Sequence, residues 1–190
     1  MNKLGNFTKD DVVDFEFSMN DYVASNKVFG VYTSLNSDNL YEKSWDMIIG
    51  ENKDEFSFRY SYPTSDGYEC RCLMFAELSD GKMKGIATEF THIKYQHEFT
   101  PAEDSGRGVD SYFMLRMISD ISNEMGNGVT KIYLDKGAKE FTLPPKSNYH
   151  DCMATAKLLN EYIFSKNKKQ VVDLTPDEKS DVKTKSKNRG

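Results

Sequence analysis

Basic and aromatic side chains alternate through the middle of this 190-residue sequence, in a pattern that could grip phosphates and stack on bases. Asp80-Gly81 is a strong signal for a two-residue hairpin turn. Such a turn sets Ser79 opposite Lys82, Glu77 opposite Lys84 and Phe75 opposite Ile86, and continues to Arg71 opposite Phe90 and Glu69 opposite His92. In that register one sheet face carries Arg59, Arg71, His92 and Lys94 around Phe90 and Phe75, with Glu69 among them. Arg59, Arg71 and Lys94 would meet phosphates, Phe90 would stack on a base, and His92 would hydrogen-bond it. The partner this predicts is single-stranded nucleic acid. A solvated face held together by cross-strand pairs explains the same residues with no partner, and a one-residue slip of the preceding hairpin moves Arg59 to the other side.

The opposite face carries Cys70, Cys72, Met74, Ala76, Ala87, Thr91 and Ile93, small or apolar throughout except for Glu89. Pairing Tyr60 with Cys70 adds the aromatic run Phe56–Tyr62 to it, so this face is the predicted core. The thiols read as buried rather than metal-binding. Cys70 and Cys72 are two apart and cannot pair with each other in a strand. His92 and His97, five apart, face opposite ways in one strand, and no CxxC or HExxH spacing occurs. The sequence holds no GxSxG, no P-loop and no Cys–His pair that spacing places together. Neither a cofactor nor a metal is expected, and no catalytic residue is assigned.

One segment carries a different chemistry. Asp80-Gly81-Lys82-Met83-Lys84-Gly85 is followed by Ser105-Gly106-Arg107-Gly108-Val109-Asp110, a helical pattern and Ile132-Tyr133-Leu134-Asp135. The arrangement resembles the central segment of GNAT-type acyltransferases. In that family a Gly-rich turn at a helix N-terminus binds the pyrophosphate of acetyl-CoA through backbone N–H groups. The resemblance covers about a quarter of the chain, and implies a cleft at Ser105 to Asp110. The chain departs from the family pattern at Ser105, where Gln or Arg is usual, and at Asp110, where Gly or Ala is usual. Asp110 would also repel a phosphate.

The elements that must position these residues follow from periodicity. Phe56, Phe58, Tyr60 and Tyr62 alternate with polar residues, Pro63 to Gly67 forms a turn, and Tyr68 to Leu78 and Met83 to Phe99 flank Asp80-Gly81. This is an antiparallel meander. Upstream, residues 8–25 suggest a helix capped by Thr8 that gives way to a strand from Val28 to Leu35, although Val13, Phe15 and Phe17 alternate as a strand would. Asn36 to Asn39 reads as a turn and Trp45 to Ile49 as a short strand. A loop from Pro101 to Gly108, containing Glu103 and Asp104, leads to a helix over 109–125 with Phe113, Met117, Ile121 and Met114, Ile118, Met125 at helical spacing. Asn127-Gly128 is expected to stop it. Lys131 to Leu134 is a strand, Pro144-Pro145 a break, and Tyr149 to Phe164 a last helix capped by Asn148, with Cys152, Ala156, Leu159 and Ile163 in one stripe.

The fold class expected is α+β: an antiparallel meander of about five strands covered on one face by two helices. The domain spans residues 1–164, followed by a polar, flexible tail over 165–190. That tail holds eight Lys or Arg against four Asp or Glu, net +4, which leaves 17 cations and 26 anions, −9, in the body. It serves solubility or steers the chain toward an acidic partner. No run approaches the roughly 18–20 apolar residues that span a bilayer, and Met1 to Asp11 lacks the apolar segment of a signal peptide, so a cytoplasmic protein without a membrane partner is expected. The abundance of Asn, Lys, Tyr and Phe without a catalytic signature suits a virus- or phage-encoded accessory or structural protein. A binding protein leads, and its alternative to nucleic acid is a protein–protein adaptor or a homo-oligomeric assembly subunit, which predicts an exposed apolar patch.

Overall fold

Val13, Phe15, Phe17 and Met19 alternate with Asp14, Glu16 and Ser18, and strand alternation prevails there over the helix expected upstream. The four apolar residues are all buried, which only a strand with one face on the core can achieve. The computed structural model describes residues 6–19, 32–33, 44–49, 55–64, 66–94 and 103–172. Its elements are β1 (Asn6–Phe7), β2 (Val13–Met19), β3 (Tyr32–Thr33), β4 (Ser44–Ile49), β5 (Glu55–Pro63), β6 (Tyr68–Ser79), β7 (Lys82–Lys94), β8 (Val109–Asp110), α1 (Ser111–Met125), β9 (Gly126–Leu134), β10 (Lys139–Leu143) and α2 (Tyr149–Val172). Most of the strand expected at Val28–Leu35, the turn at Asn36–Asn39 and the tail beyond Val172 lie outside the described residues.

Among the described residues the fold is α+β, with a large antiparallel sheet and two helices. The sheet has eight strands in the order β10-β9-β2-β7-β6-β5-β4-β3, and β1 and β8 form a separate pair. The expected meander is its β4-β5-β6-β7 part. Beyond it, β2 sits between β7 and β9 and joins the two ends of the chain. β10 has few apolar residues (Phe141 and Leu143 face the core), so periodicity alone did not reveal it.

The core lies between the sheet and the helices. Met114, Leu115, Met117, Ile118, Ile121 and Met125 from α1 meet Phe15, Phe17, Met74 and Ile132 from the strands, all in one buried cluster. Each such side chain contributes about 1.5–3 kcal/mol by leaving water. Asp110 caps α1, its side chain accepting from the Phe113 N–H at 3.0 Å. Gly126, rather than Asn127-Gly128, ends that helix, donating its N–H to the Ser122 carbonyl. A Cβ there would fall 2.8 Å from the Phe17 ring, so the helix passes straight into β9. Asn127-Gly128 falls instead where the β2–β9 ladder changes register.

The Asn148 cap of α2 is reciprocal: Asp151 N–H donates to Asn148 Oδ1 and Asn148 N–H to Asp151 Oδ2, both at 3.0 Å. Cys152, Ala156, Leu159 and Ile163 are all buried. The helix runs on to Val172, past the expected end at Phe164. Lys166, counted with the tail, instead joins Tyr162 in donating to Asp135 in the turn between β9 and β10.

Candidate functional site

The Asp80-Gly81 turn forms as expected, with both residues at positive φ (52° and 73°), and pairs Ser79 with Lys82, Glu77 with Lys84 and Phe75 with Ile86. Further along, the expected register fails. Leu73 still pairs with Thr88, but Arg71 pairs with Thr91, so Glu89 and Phe90 together oppose Cys72. This is a β-bulge with its first residue, Glu89, in the left-handed region at φ 54°. Its physical reason is burial. Unbroken alternation would put the Glu89 carboxylate among Cys72, Met74 and Ala87; the extra residue exposes Glu89 and turns Phe90 into the core instead.

The five expected nucleic-acid contacts therefore do not share a face. Phe90 is 1% exposed and packs on Phe7 with ring centroids 5.6 Å apart, so it has no face left for a base. His92 is 6% exposed and pairs across the ladder with Cys70 rather than Glu69. Lys94 is exposed but follows His92 by two and shares its side of β7. Arg71 stays on the opposite side, where it pairs with Glu69. Arg59 pairs in register with Leu73; its side chain lies outside the described residues. In the first hairpin Tyr60 pairs with Cys72 and Tyr62 with Cys70, two residues from the proposed pairing. An even shift leaves the faces unchanged, and Phe56 and Tyr60 are buried.

The Ser105–Asp110 loop also has a structural occupation. Gly108 has φ 78°, and a Cβ on it would lie 2.6 Å from the Phe7 carbonyl oxygen. The glycine thus admits β1, which pairs with β8. Asp110 already engages one of the free amides in the first turn of α1, that of Phe113. Gly108 and Asp110 thus each have a role in the fold itself.

What the bulge and loop build together is a polar cavity of about 240 Å³ at the end of the sheet, lined by Asn6, Asp66, Cys70, His92, Arg107 and Asp110 among others. Ser105 donates its hydroxyl hydrogen to the His92 carbonyl at 2.6 Å. Its Oγ, 2.9 Å from His92 Nδ1, therefore accepts from Nδ1–H. That leaves Nε2 of the neutral ring without a hydrogen. Tyr68 stacks on the imidazole at 4.7 Å. Burial lowers the His92 pKa, as does Arg107, while Asp66, Asp110 and Asp104 oppose the shift. Arg107 reaches Asp66 at 3.7 Å. Burial pushes the Cys70 thiol up to about 12, which makes it a poor nucleophile. All three cysteines are free and buried, and among the described residues no group of His, Cys, Asp and Glu could hold a metal ion.

The second prominent surface is on α2. Tyr149, Met153, Leu158 and Phe164 are exposed by 46%, 52%, 58% and 65%. At 3.6 residues per turn, Tyr149, Met153, Asn160 and Phe164 fall within a sector of about 60° beside the buried stripe. A groove of about 570 Å³ runs along it, lined by Tyr112, Met153, Ala156, Lys157, Asn160 and Phe164. Sequence pattern does not set these residues apart, because they are apolar at helical spacing like their buried neighbours. Among the described residues no helix is long and apolar enough to cross a membrane. No known family's sequence profile matches the chain, and no curated protein matches it.

Proposed function

We propose that this chain is a non-enzymatic assembly subunit that pairs with a second copy of itself along α2. The observation that carries the reading is the exposed apolar stripe of Tyr149, Met153 and Phe164, a feature that marks protein contact surfaces. Self-pairing is favoured over a foreign partner because the stripe complements itself. In an antiparallel α2–α2 contact with its two-fold axis between Leu158 and Leu159, Met153 meets Phe164 of the second copy and Lys157 meets Asn160. The neighbouring Glu161 completes a charge pair with Lys157, and Tyr149 falls opposite Lys168. Each contact occurs twice, as an isologous interface requires, and Met–aromatic and cation–aromatic contacts add to the burial. The nucleic-acid reading depended on one shared basic and aromatic face, and has no comparable support.

Sedimentation velocity of the full chain over a range of concentrations tests this. The expected result is a reversible species of twice the 21.8 kDa chain mass. Phe164→Lys and Met153→Lys should each weaken it by at least about 30-fold, the equivalent of ~2 kcal/mol for a central contact, with unchanged circular dichroism. A wild-type chain that stays monomeric, or a dimer indifferent to both substitutions, overturns the reading.

A further inference from the structure

A buried imidazole that lines a polar cavity and has a ring nitrogen uncommitted is a ligand-binding feature, and among the described residues His92 is one. The residue is 6% exposed, Nδ1 is committed to Ser105, and Nε2 has no partner among the described residues. Around it the cavity is rich in acceptors. Asp110 Oδ1 accepts from the Phe113 N–H, and its other oxygen has no hydrogen-bond partner among the described residues. Asp66 takes the Thr64 hydroxyl and lies 3.7 Å from a largely exposed Arg107. The Asn6 amide, also at the mouth, gives a hydrogen to the Arg107 carbonyl at 3.2 Å. The formal charges of Asp66, Asp110 and Arg107 leave the site anionic with His92 neutral, and Phe113 supplies an apolar wall.

We propose that this cavity binds a small protonated amine, whose N–H groups are shared among His92 Nε2 and the carboxylates of Asp66 and Asp110. An ammonium group offers three donors and no acceptor, the complement of this lining. The volume, about 240 Å³, lies below the roughly 300–1,000 Å³ of pockets for drug-sized ligands, so the ligand is a few heavy atoms across. Desolvation and Arg107 keep His92 unprotonated near neutral pH against the pull of Asp66, Asp110 and Asp104, so the acceptor is available when the amine is charged. The proposal is independent of pairing along α2.

The test is NMR of the ¹⁵N-histidine-labelled full chain, with the His92 signals assigned by comparison with His92→Gln. Ethylammonium chloride is the probe, and tetramethylammonium chloride, which has no N–H, and sodium acetate are the comparisons. A saturable shift of His92 Nε2 with ethylammonium alone is expected, together with a further fall in the His92 pKa. Asp66→Asn and Asp110→Asn should weaken binding at least about tenfold through loss of a charge-assisted hydrogen bond. Asn is itself a good N-cap, so the second variant keeps α1 capped. No saturable shift, an equal response to tetramethylammonium, or saturation by acetate instead would each overturn the proposal.

Discussion

Glu89 adopts φ 54°, a conformation that costs a side-chain-bearing residue roughly 1–2 kcal/mol, and it does so inside a strand. The cost is offset because the bulge removes a carboxylate from the core and seats Phe90 there. Replacement by glycine, which adopts this φ freely but loses more entropy on folding, should leave stability within about 1 kcal/mol of wild type. Glu89→Val should cost about 1–2 kcal/mol, since β-branched residues tolerate the left-handed region poorly. Deletion of Glu89 should cost less than the ~3 kcal/mol of removing a buried phenylalanine, because regular alternation from Ala87 then still brings Phe90 to the core face opposite Cys72. Urea titrations of the three variants check this order. The misfit was legible in the sequence: Glu89 was the one charged residue on the apolar face. Its consequence was not, because alternation counts residues and cannot show which one the backbone will leave out.

At the scale of elements, the turn between β9 and β10 is tied to α2. Asp135 accepts from Tyr162 and from Lys166, and these hydrogen bonds, with Lys166 the largest cause, hold its carboxyl below the usual range. A folded pKa below the unfolded value of about 3.9 means that the carboxylate's contribution is complete above that value and is lost as pH falls through the folded pKa. Asp135→Asn should therefore lower stability by ~1 kcal/mol at pH 7, allowing for partial solvent screening. The difference from wild type should shrink at acid pH, as the carboxylate takes up its proton. Urea melts at neutral and acid pH decide it, and a difference that persists unchanged in acid would assign the effect to packing instead. The caps and hairpin turn were readable because they are local: Asn148 with Asp151, and Asp80 with Gly81. The extension of α2 to Val172 was not, since what stabilises Lys166 in the helix is Asp135, distant in sequence.

At the scale of the whole molecule, pairing along α2 makes stability depend on concentration. A dimer that dissociates on unfolding gains stability by mass action, so the thermal midpoint of the wild-type chain should rise with protein concentration. That of Phe164→Lys should not. Equal midpoints for wild type at low and high concentration would count against the assembly reading, whatever the surface composition. The −9 body charge opposes close approach of two copies, and on this reading salt should strengthen the dimer by screening. Salt weakens the phosphate contacts of nucleic-acid binders, so the sign of the salt effect separates the two classes of partner.

From the sequence alone came the α+β class, the meander, its hairpin turn, the two helices and their buried stripes, because each depends on periodicity and turn chemistry within a few residues. The tertiary structure alone decided the position of β2 between the two ends of the chain, the bulge at Glu89, and the side of the sheet on which Phe90 and His92 lie. It also gave Gly108 its reason, the close passage of β1, and left Tyr149, Met153 and Phe164 uncovered. Each of these depends on which distant segment arrives as a neighbour. Pairing is a property of two segments at once, and a one-residue shift between them exchanges core for surface.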